Sequence, residues 1–264
     1  GYHRSVLGIA PDDREAEQHL EEVAIQLHDW PELLASYRRR ATREKDPMER
    51  ASLLIEIASL QEEKLVDLDG ASATYHEALA VMPGQLRAIR AVARTEEARG
   101  DWESLEKVLS AELEQTTDPN ARGTQLMRLG GLEEIQLERP SNALARYREA
   151  VALPGSRPQA VMSIARLVLT AATNLDATER AQAARLILPH LEAAKQVAQQ
   201  AQALEVIRNH EGSAGEKLDI DRQLMRLYHN DLGDPAASWT AGLRVLAVEP
   251  GDTETRNALN ILAG

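Results

Sequence analysis

Residues 65–83 read LVDLDGASATYHEALAVMP and residues 137–154 read LERPSNALARYREAVALP, so one pattern occurs twice in the chain. Tyr75 of the first stretch matches Tyr147 of the second, a displacement of 72 positions. The other matches at this displacement are Asp29-Trp30 with Asp101-Trp102, Asp46-Pro47 with Asp118-Pro119, and Leu33 with Leu105. Repetition at a fixed period is the sequence signature of a repeat architecture. Half of the displacement gives a unit of 36 residues.

The spacing of apolar residues inside each unit is helical. Leu53, Leu54, Ile57 and Leu60 follow one another in steps of three and four, and no strand-like alternation is present. Asp-Pro, Asp-Gly and Pro-Gly pairs separate the apolar segments, and Asp and Pro are favoured in the first turn of a helix. The sequence therefore predicts an all-α fold of about 14 helices, arranged as antiparallel pairs and without a sheet.

Three segments share a motif of Leu, a small residue, an aromatic position and a closing Pro. It is carried by Leu65, Ala71, Tyr75 and Pro83, and then by Leu137, Ala143, Tyr147 and Pro154. The third segment keeps Leu232, Ser238, Val245 and Pro250, without an aromatic residue. This motif resembles the second half of a tetratricopeptide repeat (TPR). The resemblance implies an alpha-alpha superhelix of helix pairs, each about 34 residues long, whose inner surface binds proteins or peptides.

The resemblance also divides the chain. We expect a single TPR-like solenoid segment over 1–264, with regular repeats at 12–155, irregular helices at 156–213, a repeat at 214–250 and a terminal helix at 251–264. Because Tyr2–Val6 aligns with Tyr75–Leu79, we expect a fragment of a longer bacterial-type array. Two features depart from the motif. Gly242 stands where the other repeats carry Tyr, and Pro189 interrupts a predicted helix, which it should kink.

Composition narrows the possible partners. The 42 acidic residues exceed the 30 Lys and Arg residues, a formal net charge of -12, which disfavours general attraction to nucleic acid or to an anionic membrane. No apolar run reaches the ~18 residues of a membrane-spanning helix. We therefore expect a soluble protein. The absence of Cys excludes disulfides and fits both reducing and oxidising compartments, so the compartment stays open, with the cytoplasm favoured.

Catalytic and cofactor signatures are missing. None of the seven His residues has another His three to five positions away, so the helical spacing of metal ligands is absent. The run at 212–217 (GSAGEK) lacks the spacing of a phosphate loop and is interpreted as a flexible connector. We expect no cofactor, no metal and no enzymatic activity.

Four aromatic residues are predicted to be structural. Tyr75 and Tyr147 should occupy equivalent buried positions between helices. Trp30 and Trp102 each begin the second helix of a pair, where an indole covers the turn and seals neighbouring helices. A role for these indoles in stacking on a ligand is the alternative.

Two groups of arginines invite a binding hypothesis. Arg38, Arg39, Arg40 and Arg43 form the densest basic cluster, but acidic neighbours favour a solvated face over a phosphate contact. On a helical wheel, Arg87, Arg90 and Arg94 lie in one strip on the side that TPR proteins turn toward the groove. Equivalent positions in other repeats add Arg166, Arg222 and Arg226.

This arginine row predicts a basic inner groove that receives an acidic or carboxylate-ended segment through charge-assisted hydrogen bonds. The alternative is a solvated face neutralised by Glu96, Glu97 or a neighbouring repeat. As a whole, the sequence predicts a protein- or peptide-binding scaffold. The alternative function is an architectural spacer or self-association segment of a larger protein, and a homo-oligomer is compatible with both.

Overall fold

A computed structural model describes residues 14–170, 174–210 and 212–263. Across these ranges it contains fourteen α-helices and no strand, which confirms the predicted all-α class. The helices are α1 (Arg14–Leu27), α2 (Trp30–Arg43), α3 (Pro47–Glu63), α4 (Leu68–Val81), α5 (Leu86–Arg99), α6 (Trp102–Gln115), α7 (Pro119–Ile135), α8 (Pro140–Val151), α9 (Arg157–Leu169), α10 (Ala177–Ala193), α11 (Val197–His210), α12 (Ala214–Leu227), α13 (Pro235–Val248) and α14 (Thr253–Ala263). A short π-helical turn, Tyr228–Leu232, follows α12. The alignment of Tyr2–Val6 with a repeat lies outside the described residues.

Seven of the fourteen helices in the described ranges begin after a capping aspartate. Its carboxylate accepts a hydrogen bond from a backbone N–H in the first turn, which satisfies a donor that has no partner inside the helix and places negative charge at the positive end of the helix dipole. The capping aspartates are Asp29, Asp46, Asp67, Asp101, Asp118, Asp176 and Asp234. The Asp-containing breaks in the sequence are therefore helix starts.

A left-handed residue marks the turn inside each helix pair. Six of the described residues have a positive φ, and each stands directly before the N-cap position of the second helix of a pair. They are His28, Val66, Gly100, Glu138, Lys195 and Gly233. They join α1 to α2, α3 to α4, α5 to α6, α7 to α8, α10 to α11, and α12 to α13. Among the described residues, α9 and α14 take part in no such turn, so these two helices stand outside the pairs.

The chain separates into two compact units, one that ends at Thr116 and one that begins at Thr117. The first unit holds three helix pairs, α1 to α6, and each helix packs against the next. The second unit holds α7 to α14, and its unpaired α9 packs against α8, α10 and α11. That the whole chain forms one solenoid segment stays a prediction.

Two local expectations change in the second unit. Pro189 lies inside α10, and the helix continues past it from Ala177 to Ala193. A proline removes one backbone hydrogen bond, and the surrounding turns of α10 keep the helix together. The predicted connector at 212–217 is also shorter than expected, because the Ser213 side chain accepts a hydrogen bond from the Glu216 N–H and α12 begins at Ala214.

Candidate functional site

A tyrosine, a glutamate and an arginine form a linked group in the first unit. The Tyr75 side chain of α4 is fully buried, and its hydroxyl donates to Glu62 Oε2 on α3 at 3.0 Å. Arg94 of α5 approaches the same carboxylate with two donors, Nε to Oε1 at 3.0 Å and Nη2 to Oε2 at 2.7 Å. The bidentate pair thus joins the first helix of one pair to the first helix of the next.

The second unit contains the same group displaced by 72 positions. Tyr147 of α8 is 1% exposed, and its hydroxyl donates to Glu134 Oε2 on α7 at 2.9 Å. Arg166 of α9 donates to both oxygens of that carboxylate, with Nη2 at 2.8 Å from Oε2. All three residue types recur at one offset, so the linked group belongs to the repeat.

Burial and hydrogen bonding shift the ionisation of these groups. The side-chain hydrogen bond from Arg94 lowers the pKa of Glu62 and, in turn, raises the pKa of Arg94. Burial raises the pKa of Tyr75 and of Tyr147. The glutamate therefore carries a negative charge, the arginine carries a positive charge, and both phenols stay neutral at physiological pH.

The two charges of each pair are unequally accessible. The Arg94 side chain is 60% exposed while its partner Glu62 is 16% exposed, and the corresponding values are 55% for Arg166 and 10% for Glu134. In each unit, a molecule that approaches the pair therefore meets the guanidinium group, because the carboxylate lies beneath it.

Arg87 and Arg90 lie on the same helix as Arg94, but neither forms a short ion pair with a carboxylate of the described residues. The Arg90 side chain is 73% exposed, and its Nε lies 3.9 Å from Glu112 Oε1, beyond hydrogen-bond distance. Arg87 is exposed and makes no ion pair within the part of the chain that the structure describes. In α5 these two guanidinium groups form no hydrogen bond to a carboxylate of the described residues.

Arg222 and Arg226 on α12 are paired in a different way. Arg222 Nη2 donates to Glu249 at 2.6 Å and to Asp252 at 2.8 Å, and the side-chain hydrogen bond to Asp252 raises the pKa of Arg222. Arg226 Nη2 lies 2.9 Å from Glu254 on α14. The acids in these pairs are mostly exposed, so this part of the surface presents both signs of charge.

The predicted arginine row is thus distributed over both units, and four of its six members hold carboxylates of this chain. A wheel of one helix does not show such pairing, because Glu62 precedes Arg94 by 32 residues and lies on another helix. The repeat carries a usable signal, however: Glu62 recurs as Glu134 at the displacement at which Arg94 recurs as Arg166. That the row forms a binding groove stays a prediction.

The tryptophans pack against the turns that precede them. Trp30 contacts a buried cluster of Ala24, Leu33 and Leu60, and the Lys64 ammonium lies 5.7 Å from its ring centroid. Trp102 is half-buried, and a Cβ atom at Gly100 would stand 3.8 Å from its ring.

The basic cluster of α2 is neutralised locally. Arg40 donates to both oxygens of Glu21, at 3.2 and 3.0 Å, and Arg43 pairs with Glu17 at 2.5 Å. A polar cavity of about 490 Å³ adjoins these pairs, and its charged lining comprises Glu17, Glu21, Glu44, Glu49, Glu56, Arg40 and Arg43. The excess of glutamates disfavours a phosphate ligand at this cluster.

The described residues offer neither a metal site nor a membrane-spanning helix. Within the described ranges, no group of three or more His, Asp or Glu side chains is placed to hold a metal ion. No helix in those ranges combines the length and apolar character that crossing a membrane requires.

No protein-family model and no curated protein matches the chain. Solved structures similar to it include a tetratricopeptide repeat protein from Parabacteroides merdae, with 12% identity, a TM-score of 0.42 and coverage of 95% of this chain and 98% of that one. The C-terminal part of a TPR repeat-containing protein from Cytophaga hutchinsonii shows 13% identity, a TM-score of 0.38 and coverage of 98% and 92%. YrrB, described as a TPR protein with an unusual peptide-binding site, shows 14% identity, a TM-score of 0.35 and coverage of 84% and 96%.

These low identities and TM-scores transfer no function to the chain. Its repeat character is carried by its own residues: capped helix pairs joined by left-handed turns, and a Tyr–Glu–Arg group that recurs at 72 positions. On these grounds the chain is a TPR-like α-helical repeat protein.

Proposed function

We propose that this chain is a non-catalytic scaffold that holds a segment of a partner protein against the exposed arginines of its first helices. The supporting observation is the unequal exposure of the ion pairs, in which Arg94 and Arg166 cover glutamates that are almost buried. Since the carboxylates lie beneath, the surface offers hydrogen-bond donors although each pair is electrically neutral.

The proposed segment is acidic or ends in a carboxylate. Arg87 and Arg90 supply two guanidinium groups that are not held by short hydrogen bonds, and Arg94 keeps Nη1 after Nε and Nη2 have bound Glu62. A carboxylate accepts two parallel N–H bonds from a guanidinium. The negative net charge of the chain opposes long-range attraction, so short-range pairing on α5 would have to select the ligand.

The test compares arrays of short peptides that differ in acidic content and in a free or amidated C-terminus, with affinities measured by fluorescence anisotropy. We expect selective binding of acidic peptides that weakens as salt rises. In the double variant Arg87→Glu with Arg90→Glu, binding should fall about a hundredfold or more, because each lost charged contact costs roughly 1.5–3 kcal/mol.

The matched control is Arg38→Glu with Lys107→Glu, which changes the net charge equally at exposed positions on second helices of the same unit. The affinity of this control for the acidic peptide should stay within about threefold of the wild type, because charges outside the contact have little effect on affinity. Equal loss in both double variants would reduce the effect to net charge and contradict the proposal.

One observation favours the alternative of self-association. Trp239 and Leu243 lie one turn apart on α13 and are 37% and 49% exposed, although both are large and apolar. Sedimentation velocity on Trp239→Ser would test this alternative. A concentration-dependent dimer that the substitution abolishes would support it, and a monomer at all concentrations would contradict it.

A further inference from the structure

An apolar cleft lies in the second unit where the unpaired helix α9 meets the end of α10. It is an open cleft of about 360 Å³, within the roughly 300–1,000 Å³ typical of ligand pockets. Its residues come from the first two turns of α9 and from the C-terminal end of α10. They are Arg157, Pro158, Val161, Met162, His190, Ala193, Ala194 and Gln196.

The shape of the cleft follows from its side chains. Ala193 and Ala194 end α10 with methyl groups only, so α9 and α10 leave space between them at this level. Met162 remains 42% exposed at the cleft. Methionine is unbranched and polarisable, which suits a surface that adapts to an apolar side chain.

The charge of the cleft is opposite in sign to that of the chain. No carboxylate lines it, and Arg157 is its only permanently charged residue, whereas five glutamates line the polar cavity of the first unit. Arg157 Nε donates to the Val151 carbonyl at 2.9 Å, which fixes the guanidinium at the cleft, and Arg157 forms no ion pair within the described residues. Its Nη groups are therefore available to an anion.

We propose that this cleft binds a peptide segment of a partner protein in which a large apolar side chain stands next to an acidic residue. The apolar side chain enters between Met162 and the alanines of α10, and the carboxylate pairs with Arg157. This inference rests on the proposed scaffold function, but it places a contact in the second unit, separate from the arginines of α5.

The probes are four blocked hexapeptides that combine Leu or Ser at the anchor position with Asp-Glu or Asn-Gln beside it. Methyl NMR of methionine-labelled protein reads the site directly, because Met162 lines the cleft while Met48, 59% exposed in the first unit, reports binding elsewhere. We expect the peptide with Leu and Asp-Glu to shift the Met162 signal saturably, and the other three to shift it far less.

Two variants sharpen the result. Ala194→Glu adds a carboxylate at an exposed position of the cleft and should weaken binding about tenfold through like-charge repulsion. Gln136→Glu is its control, since Gln136 is also an exposed residue that follows the last turn of a helix, and it lies outside the cleft lining. Arg157→Gln should abolish the preference for Asp-Glu over Asn-Gln.

A Met162 signal that no peptide moves would overturn the inference, as would one that responds equally to acidic and amide peptides. If the double variant Arg87→Glu with Arg90→Glu abolishes all binding of acidic peptides and the Met162 signal never responds, the scaffold function stands and the cleft proposal fails. If the Met162 response persists in that double variant, the cleft is a site of its own.

Discussion

The second helices α4 and α8 carry a tyrosine at a position where α13 carries a glycine. Tyr75 and Tyr147 lie eight residues after the cap of their helix, and both are buried, whereas Gly242 lies eight residues after Asp234. In α13 the space is filled from the opposite side, because a Cβ atom at Gly242 would stand 2.8 Å from a methyl group of Leu259 on α14. The space beside the second helix is therefore filled in all three copies, by a tyrosine of that helix in two of them and by Leu259 of the following helix in the third.

The ion pairs that flank these helices also differ in direction. In the two tyrosine-containing copies the helix that follows the tyrosine carries the arginine, and the helix that precedes it carries a glutamate that accepts from the phenol. Around α13 the earlier helix, α12, carries Arg226 and the later one, α14, carries Glu254. Without a tyrosine hydroxyl to hold it under the surface, the acid stays 71% exposed. Arg226 is itself 54% exposed, so around α13 both charges of the pair face outward.

The largest expected effect is that of removing a tyrosine. Tyr147→Ala leaves a cavity beneath the Glu134–Arg166 pair, and truncation of a buried aromatic costs about 3–5 kcal/mol. The free energy of unfolding, measured by urea denaturation, should fall by that amount. Hydrogen exchange should show the loss mainly in α7 to α9, because neighbouring repeats carry the interaction.

Tyr147→Phe is the control, since it keeps the ring and removes only the hydroxyl that donates to Glu134. Its loss should be about 1.5–3 kcal/mol, the range for a hydrogen bond to a charged group. Equal stability of the wild type and Tyr147→Ala would contradict the structural role of this residue.

The next largest effect is expected from restoring the missing aromatic residue. Gly242→Tyr places a ring where Leu259 already packs, and overpacking of this kind costs about 1–3 kcal/mol. Adding Leu259→Ala should recover part of the loss, because it vacates the volume that the ring needs. The coupling is measured by a double-mutant cycle in urea denaturation. Additive effects would show that Gly242 and Leu259 do not share one space.

The repeat, the helices and their starting residues could be predicted from the sequence because they depend on local patterns. The Asp-Pro at 46–47 and the Asp-Trp at 101–102 mark helix starts through backbone groups a few residues away. Pro189 does not end α10, because the turns around it are packed, with Ile187 and Leu191 fully buried, and the kink expected there stays a prediction.

The state of the arginines could not be predicted from one helix at a time. Arg94 and Arg90 look equivalent on a wheel, yet Arg94 has a bidentate partner on α3 and Arg90 has none at hydrogen-bond distance. The difference depends on which helix lies beside each turn of α5. In the sequence, only the recurrence of Glu62 and Arg94 as Glu134 and Arg166, 72 positions later, indicates that Arg94 has a partner and Arg90 does not.

A smaller effect, and one that depends on pH, is expected from the Glu62–Arg94 pair. The pKa of Glu62 is lowered in the folded state, so its ionisation stabilises the fold above the ordinary carboxyl pKa. This contribution is lost as the pH falls through the lower folded value. The stability difference between wild type and Glu62→Gln should therefore be largest near neutral pH and shrink below about pH 4.3. Glu63→Gln, at the exposed neighbouring position, should show no such trend in the same urea titrations.

The smallest expected effect is a gain in stability, and it comes from comparing the turns inside the helix pairs. Gly100 and Gly233 adopt positive φ without steric cost, whereas Val66 does so at φ 55° with a β-branched side chain that is 78% exposed. Left-handed backbone costs an L-residue about 1–2 kcal/mol. Glycine avoids this strain but loses more conformational entropy on folding, which costs roughly 0.5–1 kcal/mol. Val66→Gly should therefore stabilise the first unit by about 0.5–1 kcal/mol, and Gly100→Val should destabilise it by more, because the valine side chain would also approach the Trp102 ring. Thermal denaturation of both variants measures the two signs, and a loss of stability in Val66→Gly would show that the exposed valine makes contacts that outweigh its strain.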